Sequence, residues 1–300
     1  YNKSASNPFQ PLHEKLRDLA FGTHTYKHTT IGFLEDIKAM PGYYEYSLDF
    51  FNRFYRPENV TLIVVGDVQA EKVAAMAKQH YSDWKKGYTA PKVQGEPAQQ
   101  EAKKANIDWP TPTRPYIMVG YHMPAFTTET TDSAALDLIS QLLFSDSAPL
   151  YQELVVDKQW VDFVGGSADF HRDAYLFTVI ARIKSDELVP KVKETIDRYV
   201  AELQKQPVDP KRLERVKSHL RYGFALSLDT PGAAANQAAT AVAVAGDIGA
   251  INRLFAQYDK ATPADIQRLA REVFQPKNET MVTLAYKAPA DKPAAEGGAR

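Results

Sequence analysis

Apolar residues recur at helical spacing in three stretches of the first ninety residues: 12 to 21, 43 to 55, and Ala70 to Tyr81. The last presents Val73, Met76, Ala77 and His80 on one face. Between the second and third lies RPENVTLIVVGDV. There Pro57 stops the helix, Asn59 suits a turn, and Thr61 to Val65 reads as a buried strand that Gly66-Asp67 closes. From Lys85 to Asp108 large apolar residues nearly vanish while Gly87, Pro91, Gly95 and Pro97 appear, the composition of a linker.

The second half opens with a strand, Tyr116 to His122, then a helix entered at Thr131-Asp132 with a core stripe of Ala135, Leu138, Ile139, Leu142 and Leu143. Two strands follow, WVDFVGGSADF and AYLFTVIARI, joined through His171-Arg172-Asp173 as a hairpin. A helix spans Asp186 to Gln204, and another starts at Asp209-Pro210, an N-cap followed by proline. Leu213, Val216, Leu220 and Phe224 form its apolar face. PGAAANQAATAVAVAGD predicts a tightly packed helix of small residues. Thr262-Pro263-Ala264-Asp265 starts one more, ending near Phe274, and Thr280 to Tyr286 is the last strand. The Ala, Pro, Gly and Lys residues after it predict a disordered tail.

Two segments match each other. FYRPENVTLIVV at 54–65 and VFQPKNETMVTL at 273–284 share an aromatic residue, Pro, Asn and Thr at a constant offset of 219 residues. Both lie where an amphipathic helix stops at a proline and an apolar strand begins. A duplicated architecture would place about a hundred residues of the first copy upstream of Tyr1, because Pro276 has a far longer run of its own unit ahead of it than Pro57 has.

Charge and composition narrow the chemistry. With 36 Lys and Arg against 37 Asp and Glu, a net charge of -1 and no basic block, the chain lacks the footprint of a nucleic-acid binder. No apolar run approaches a membrane span, and the first residues lack the layout of a secretory leader. The absence of cysteine removes disulfides, thiolate ligands and cysteine nucleophiles. His24 and His28 could grip one metal only on a helix, where their rings would share a face. The β-branched Thr23, Thr25, Thr29, Thr30 and Ile31, between Gly22 and Gly32, predict a surface loop with two ordinary histidines instead. His171-Arg172-Asp173 reads as a turn and Ser218-His219 as a solvated helix face. Tyr43, Tyr46, Phe50 and Phe54 read as a core stripe.

The runs AFGTHTYKHTTIG, LEDI and FFNRFYRPENVTLIVVGDV, with LYQELVVDKQWV, LERVKSHLRYGFALSLDTPGAAA and ATPADIQRLAREVFQPKNETMVTL, resemble the pitrilysin (insulinase) family of zinc metallopeptidases from Pro8 to Leu284. The resemblance implies an α+β fold of two homologous metallohydrolase-like units, their mixed or antiparallel sheets packed by helices, enclosing a peptide chamber. Residues 1–86 would be the C-terminal part of a truncated first unit, 87–110 a linker, 111–287 the second, non-zinc unit, and 288–300 the tail.

In that family an inverted H-x-x-E-H on a helix and a later glutamate hold zinc, and the motif's glutamate serves as general base. None of His13, His24, His28, His80, His122, His171 and His219 lies in such a motif. The resemblance therefore implies no catalytic and no metal-binding residue in this chain, and zinc only in the parent enzyme. The helix from Thr131 to Phe144 takes the duplicate's motif position without a histidine, as a packing element. The Arg and Tyr that many relatives place seven apart to hold substrate fall on Val155 and Asp162, which cannot play those parts. Arg221 and Tyr222 are the candidate substrate contacts.

The expectation is the C-terminal portion of a zinc peptidase that degrades peptides or small proteins, a chamber wall inactive by itself. The competing expectation is a zinc-free subunit or scaffold of a heteromeric peptidase. Implied partners are a peptide substrate and a zinc-bearing N-terminal region or partner subunit, with a homodimer also compatible. The implied setting is the bacterial periplasm, with no nucleic acid and no membrane span.

Overall fold

The computed structural model describes residues 2–288, and a five-stranded sheet organises them. The strands β1 (Lys103–Trp109), β2 (Tyr116–Met123), β3 (Val161–Ala168), β4 (Tyr175–Ile183) and β5 (Glu279–Tyr286) lie in the order β1-β5-β2-β4-β3. Only β1 and β5 run parallel; β5 with β2, β2 with β4 and β4 with β3 are antiparallel. The longer helices are α1 (Phe9–Ala20), α2 (Tyr44–Phe54), α3 (Ala70–Tyr81), α4 (Asp132–Phe144), α5 (Val189–Lys205), α6 (Pro210–Ser227), α7 (Pro231–Ala245), α8 (Ala250–Lys260) and α9 (Pro263–Val273). The class is α+β, as expected.

Alternation along the strands sends side chains to two cores. Ile117, Val119 and Tyr121 of β2 face α4, α5 and α9, whose Leu138, Ile139, Ile196 and Leu269 are fully buried. Met118 faces the other way, with Leu176, Val282 and Leu284, against Leu12, Leu16 and Phe21 of the α1 region. A helix from the beginning of the chain thus covers the second face of a sheet formed by residues 103–286. Gly120 permits the approach: a Cβ there would stand 3.0 Å from Leu176 and 3.3 Å from Leu16.

Local chemistry sets several helix starts. The Asp209 carboxylate accepts from the backbone of Lys211 and Arg212 at the start of α6. Thr262 and Asp265 form a reciprocal capping box at α9.

Four sequence expectations change. Thr61 to Val65 is not a strand. Its counterpart β5 pairs on both sides, whereas residues 60–65 have no neighbouring strand among the described residues, and a lone strand cannot satisfy its backbone groups. The stretch expected as a linker ends at Gln99 and β1, because β1 adds to β5 in parallel; Gln99 donates to the carbonyls of Lys277 and Glu279. The stripe on α2 is not core, with Tyr46 59% and Phe50 42% exposed. In α7 only Ala238 is buried, because the helix borders a cavity and not a packed neighbour along much of its length. The tail lies, from residue 289, outside the described residues.

Candidate functional site

A cavity of about 520 Å³ lies between α4, α6, α7 and α8, beside the end of β3. Each wall follows from a sequence pattern. On α6, Leu220 and Phe224 continue the apolar stripe begun by Leu213, past the point where α4 can cover it, and Gly223 leaves space between them. α8 brings Leu254, Phe255 and Tyr258, one to four residues apart and so on adjoining faces. Phe255 packs on Phe224 with ring centroids 4.8 Å apart and on Tyr258 at 5.4 Å. The small residues of α7 form the remaining wall with Gln237, Thr240 and Ala241, which is why that helix is only loosely covered.

One charge lies in this apolar setting. Asp137 of α4 accepts the Tyr258 hydroxyl at 2.5 Å through Oδ2. Burial pushes its carboxyl above the ordinary range against the opposing effect of that hydrogen bond, and burial followed by the Asp137 charge pushes the Tyr258 phenol up as well. The cations nearby are already engaged: Lys217 with Glu214, Arg221 with Asp259, Arg253 with Asp247, and Arg268 with Asp132. Gln141, one turn after Asp137, lines the same space with His219. α4 is therefore a packing element, as expected, and also the carrier of the cavity's carboxylate. The signal was an acid inside the apolar run AALDLIS, a position that costs stability unless the group is satisfied or used.

The structure disperses the other candidates. Arg221 pairs with Asp259 outside the cavity, and Tyr222 is 71% exposed; neither lines the cavity, although their neighbours Leu220 and Gly223 do. Val155 sits in a π-helical turn, Gln152–Asp157, against the core. Asp162 lies at a bulge in β3 and pairs with Arg114 and Arg182, so it serves the sheet. His171 donates through Nδ1 to the Asp169 carbonyl, 2.9 Å away, and stacks on Tyr175; Arg172 donates to the Ala243 carbonyl.

His24 and His28 part company. His28 is exposed, as a surface loop requires. His24 is buried, which corrects the surface reading: its Nδ1 accepts from the Tyr26 backbone and its Nε2 faces Asp173 of the β3–β4 turn at 3.4 Å. Among the described residues no group of three His, Asp or Glu could hold a metal ion. Asp137 and His219 are the two zinc-ligating side chains of the lining, one short of the three protein ligands of a catalytic zinc, which therefore does not fit this site.

The sheet with helices on both faces defines an α+β domain. Comparison with known proteins makes this specific. A family model described as peptidase M16 inactive domain matches residues 44–220, and the chain belongs to that family. The zinc protease PqqE of Helicobacter pylori is 26% identical over 287 residues, which is 94% of this chain and 63% of that protein. The crystal structure of a protease from the same organism superimposes with a TM-score of 0.85 at 26% identity, covering 94% of this chain and 68% of that one. A peptidase M16 inactive domain from Pseudomonas fluorescens shares the fold, with a TM-score of 0.80 at 19% identity over 98% of this chain and 68% of that one. The chain spans under two thirds of the length of PqqE. No single helix of the described residues is long and apolar enough to cross a membrane.

Proposed function

We propose that residues 1–300 are the zinc-free portion of a peptidase of this family: the wall of a chamber that holds peptide, with metal and general base supplied from outside this stretch. Residues 1–86 belong, on this reading, to a first unit and residues 111–287 to the second, whose sheet is joined by β1 of the intervening stretch. The observation that carries the proposal is the apolar surface of residues 43–68. Tyr46, Phe51, Leu62 and Val64 are each more than two-fifths exposed, and they stand where the duplicate of this segment is a paired strand and its helix. A surface of this composition is built to be covered, and the natural cover is the part of PqqE that this chain does not span. An extended peptide would add to the edge of β3, which among the described residues pairs only with β4.

The test uses zinc and an internally quenched peptide. The chain alone is expected to bind unstructured peptide, read by fluorescence anisotropy, without cleaving it. Metal-dependent cleavage by residues 1–300 would overturn the assignment of the chemistry elsewhere, and absence of peptide binding would overturn the chamber. The codons preceding Tyr1 separate this reading from a zinc-free subunit: H-x-x-E-H upstream supports the single-chain peptidase, and its absence from the gene supports the subunit.

A further inference from the structure

The cavity beside α4 has three properties that together select an occupant. It is apolar over most of its lining, with Phe224, Leu254 and Phe255 as its largest walls. It holds one acid, Asp137, whose side-chain hydrogen bond among the described residues comes from the Tyr258 hydroxyl at 2.5 Å. No basic side chain of the described residues pairs with that acid: Lys217, Arg221, Arg253 and Arg268 are each held by another carboxylate, and His219, which lines the cavity with it, forms no ion pair with it.

A carboxylate in such a place is poorly solvated and attracts a cation strongly, and the aromatic faces around it favour a cation further. The cation must bring its own apolar body to displace water from the remaining surface. Lysine and arginine side chains have that form, a hydrocarbon stem with a charged head. A volume of about 520 Å³ admits one such side chain with part of the backbone that bears it, for which Gln141, Gln237 and Thr240 offer hydrogen-bonding groups at the lining.

We propose that this cavity is a subsite for a basic side chain of a bound polypeptide, its stem lying among Phe224, Leu254 and Phe255 and its charged head meeting the Asp137 carboxylate. The proposal rests on the peptide-chamber reading and assigns that chamber one specificity element. Asp137 would act as a binding residue and Tyr258 as the residue that positions it.

The experiment compares three probes on the chain of residues 1–300. These are a fluorescent blocked pentapeptide with a central lysine in alanine, the same peptide with norleucine, and free n-hexylammonium as competitor. The lysine peptide is expected to bind about tenfold or more tightly than the norleucine peptide, and hexylammonium to compete with it. Asp137→Asn, which keeps an acceptor for the Tyr258 hydroxyl, should erase the preference. Gly223→Phe should block hexylammonium competition, because a Cβ at 223 meets no atom within 4 Å and the ring would occupy the cavity.

Equal binding of both peptides overturns the subsite and leaves the chamber standing. Binding of hexylammonium with neither peptide overturns the chamber and, with it, the polypeptide as occupant. A preference for lysine that survives Asp137→Asn with an intact fold overturns the assignment to Asp137.

Discussion

The Glu96 carboxylate accepts the backbone N–H of Gly22 at 2.8 Å, across 74 residues of sequence. Its other oxygen takes the N–H groups of Thr23 and His24 at 2.8 and 2.9 Å. The loop leaving α1 therefore has its backbone donors satisfied by a residue from the stretch that reads as linker, and the connection is pinned to the face of the sheet that α1 covers. Partial burial opposes the Glu96 charge, but the three backbone donors outweigh it and hold the carboxyl below its ordinary range. A carboxylate lowered in the folded state contributes stability above its unfolded value, near pH 4.5, and loses it as pH falls toward the folded value. Glu96→Ala should cost about 1–3 kcal/mol at pH 7. Denaturant unfolding at pH 7 and pH 3 checks the sign: the gap between wild type and Glu96→Gln should narrow at the lower pH, and a gap that stays constant would sink the account.

Gly166 is set against Phe144. A Cβ at 166 would lie 2.3 Å from the Phe144 ring, and the strand cannot recoil freely because the Ser140 hydroxyl donates to the Gly166 carbonyl at 2.8 Å. Gly166→Ala should therefore destabilise by about 1–3 kcal/mol through overpacking. Phe144→Leu should relieve it. The double variant is expected to be more stable than the two single changes sum to, as a double-mutant cycle by thermal unfolding would show; strict additivity would mean that the ring is not the obstacle.

What the sequence conveyed and what it withheld divide along contact range. Helix ends set by local chemistry were legible: Asp209-Pro210 and Thr262-Pro263 mark the starts of α6 and α9, and Pro57 and Pro276 mark stops. Strands β2 to β5 were visible in their apolar runs. β1 was not, although Ala105, Ile107 and Trp109 alternate with Asn106 and Asp108, because this short run directly follows a stretch punctuated by Gly and Pro and its partner β5 lies far along the chain. Thr61 to Val65 failed for the converse reason, a strand-like composition with no strand beside it. The family was legible from combined motifs. The cavity was not, since Asp137, Gly223 and Phe255 come from three helices whose mutual packing no local pattern encodes. Arg221 and Tyr222 lie on a helix that borders the cavity, each one position away from a residue that lines it.

The α2 surface predicts behaviour in solution. With Tyr44, Tyr46, Phe50 and Phe51 exposed on α2 and Leu62 and Val64 exposed after it, the chain alone should bind a hydrophobic dye and self-associate as its concentration rises. Phe51→Lys with Leu62→Lys should reduce both while changing stability by no more than about 0.5 kcal/mol, because exposed side chains contribute little packing. Sedimentation velocity across a concentration series reads the result. A dye-silent monomer at all concentrations would show that this surface needs no cover.

Arg221 and Tyr222 remain the proposed peptide contacts on α6, and their geometry lets binding be separated from stability. Tyr222 is 71% exposed, so Tyr222→Ala should leave the unfolding midpoint nearly unchanged. Arg221 and Asp259 form an exposed ion pair between α6 and α8, and breaking it with Arg221→Gln should also be nearly neutral. Any loss of peptide affinity in either variant therefore reports contact with the peptide, not a damaged fold. Tyrosine offers a peptide a flat amphipathic surface at low entropic cost, so a several-fold weakening is expected for Tyr222→Ala, and a smaller one for Arg221→Gln because Asp259 already engages the guanidinium. Anisotropy titrations with the lysine and norleucine pentapeptides decide the matter. Unchanged affinity for both peptides in both variants would remove these two residues from the binding surface, while the Asp137 subsite, which they do not line, would be unaffected.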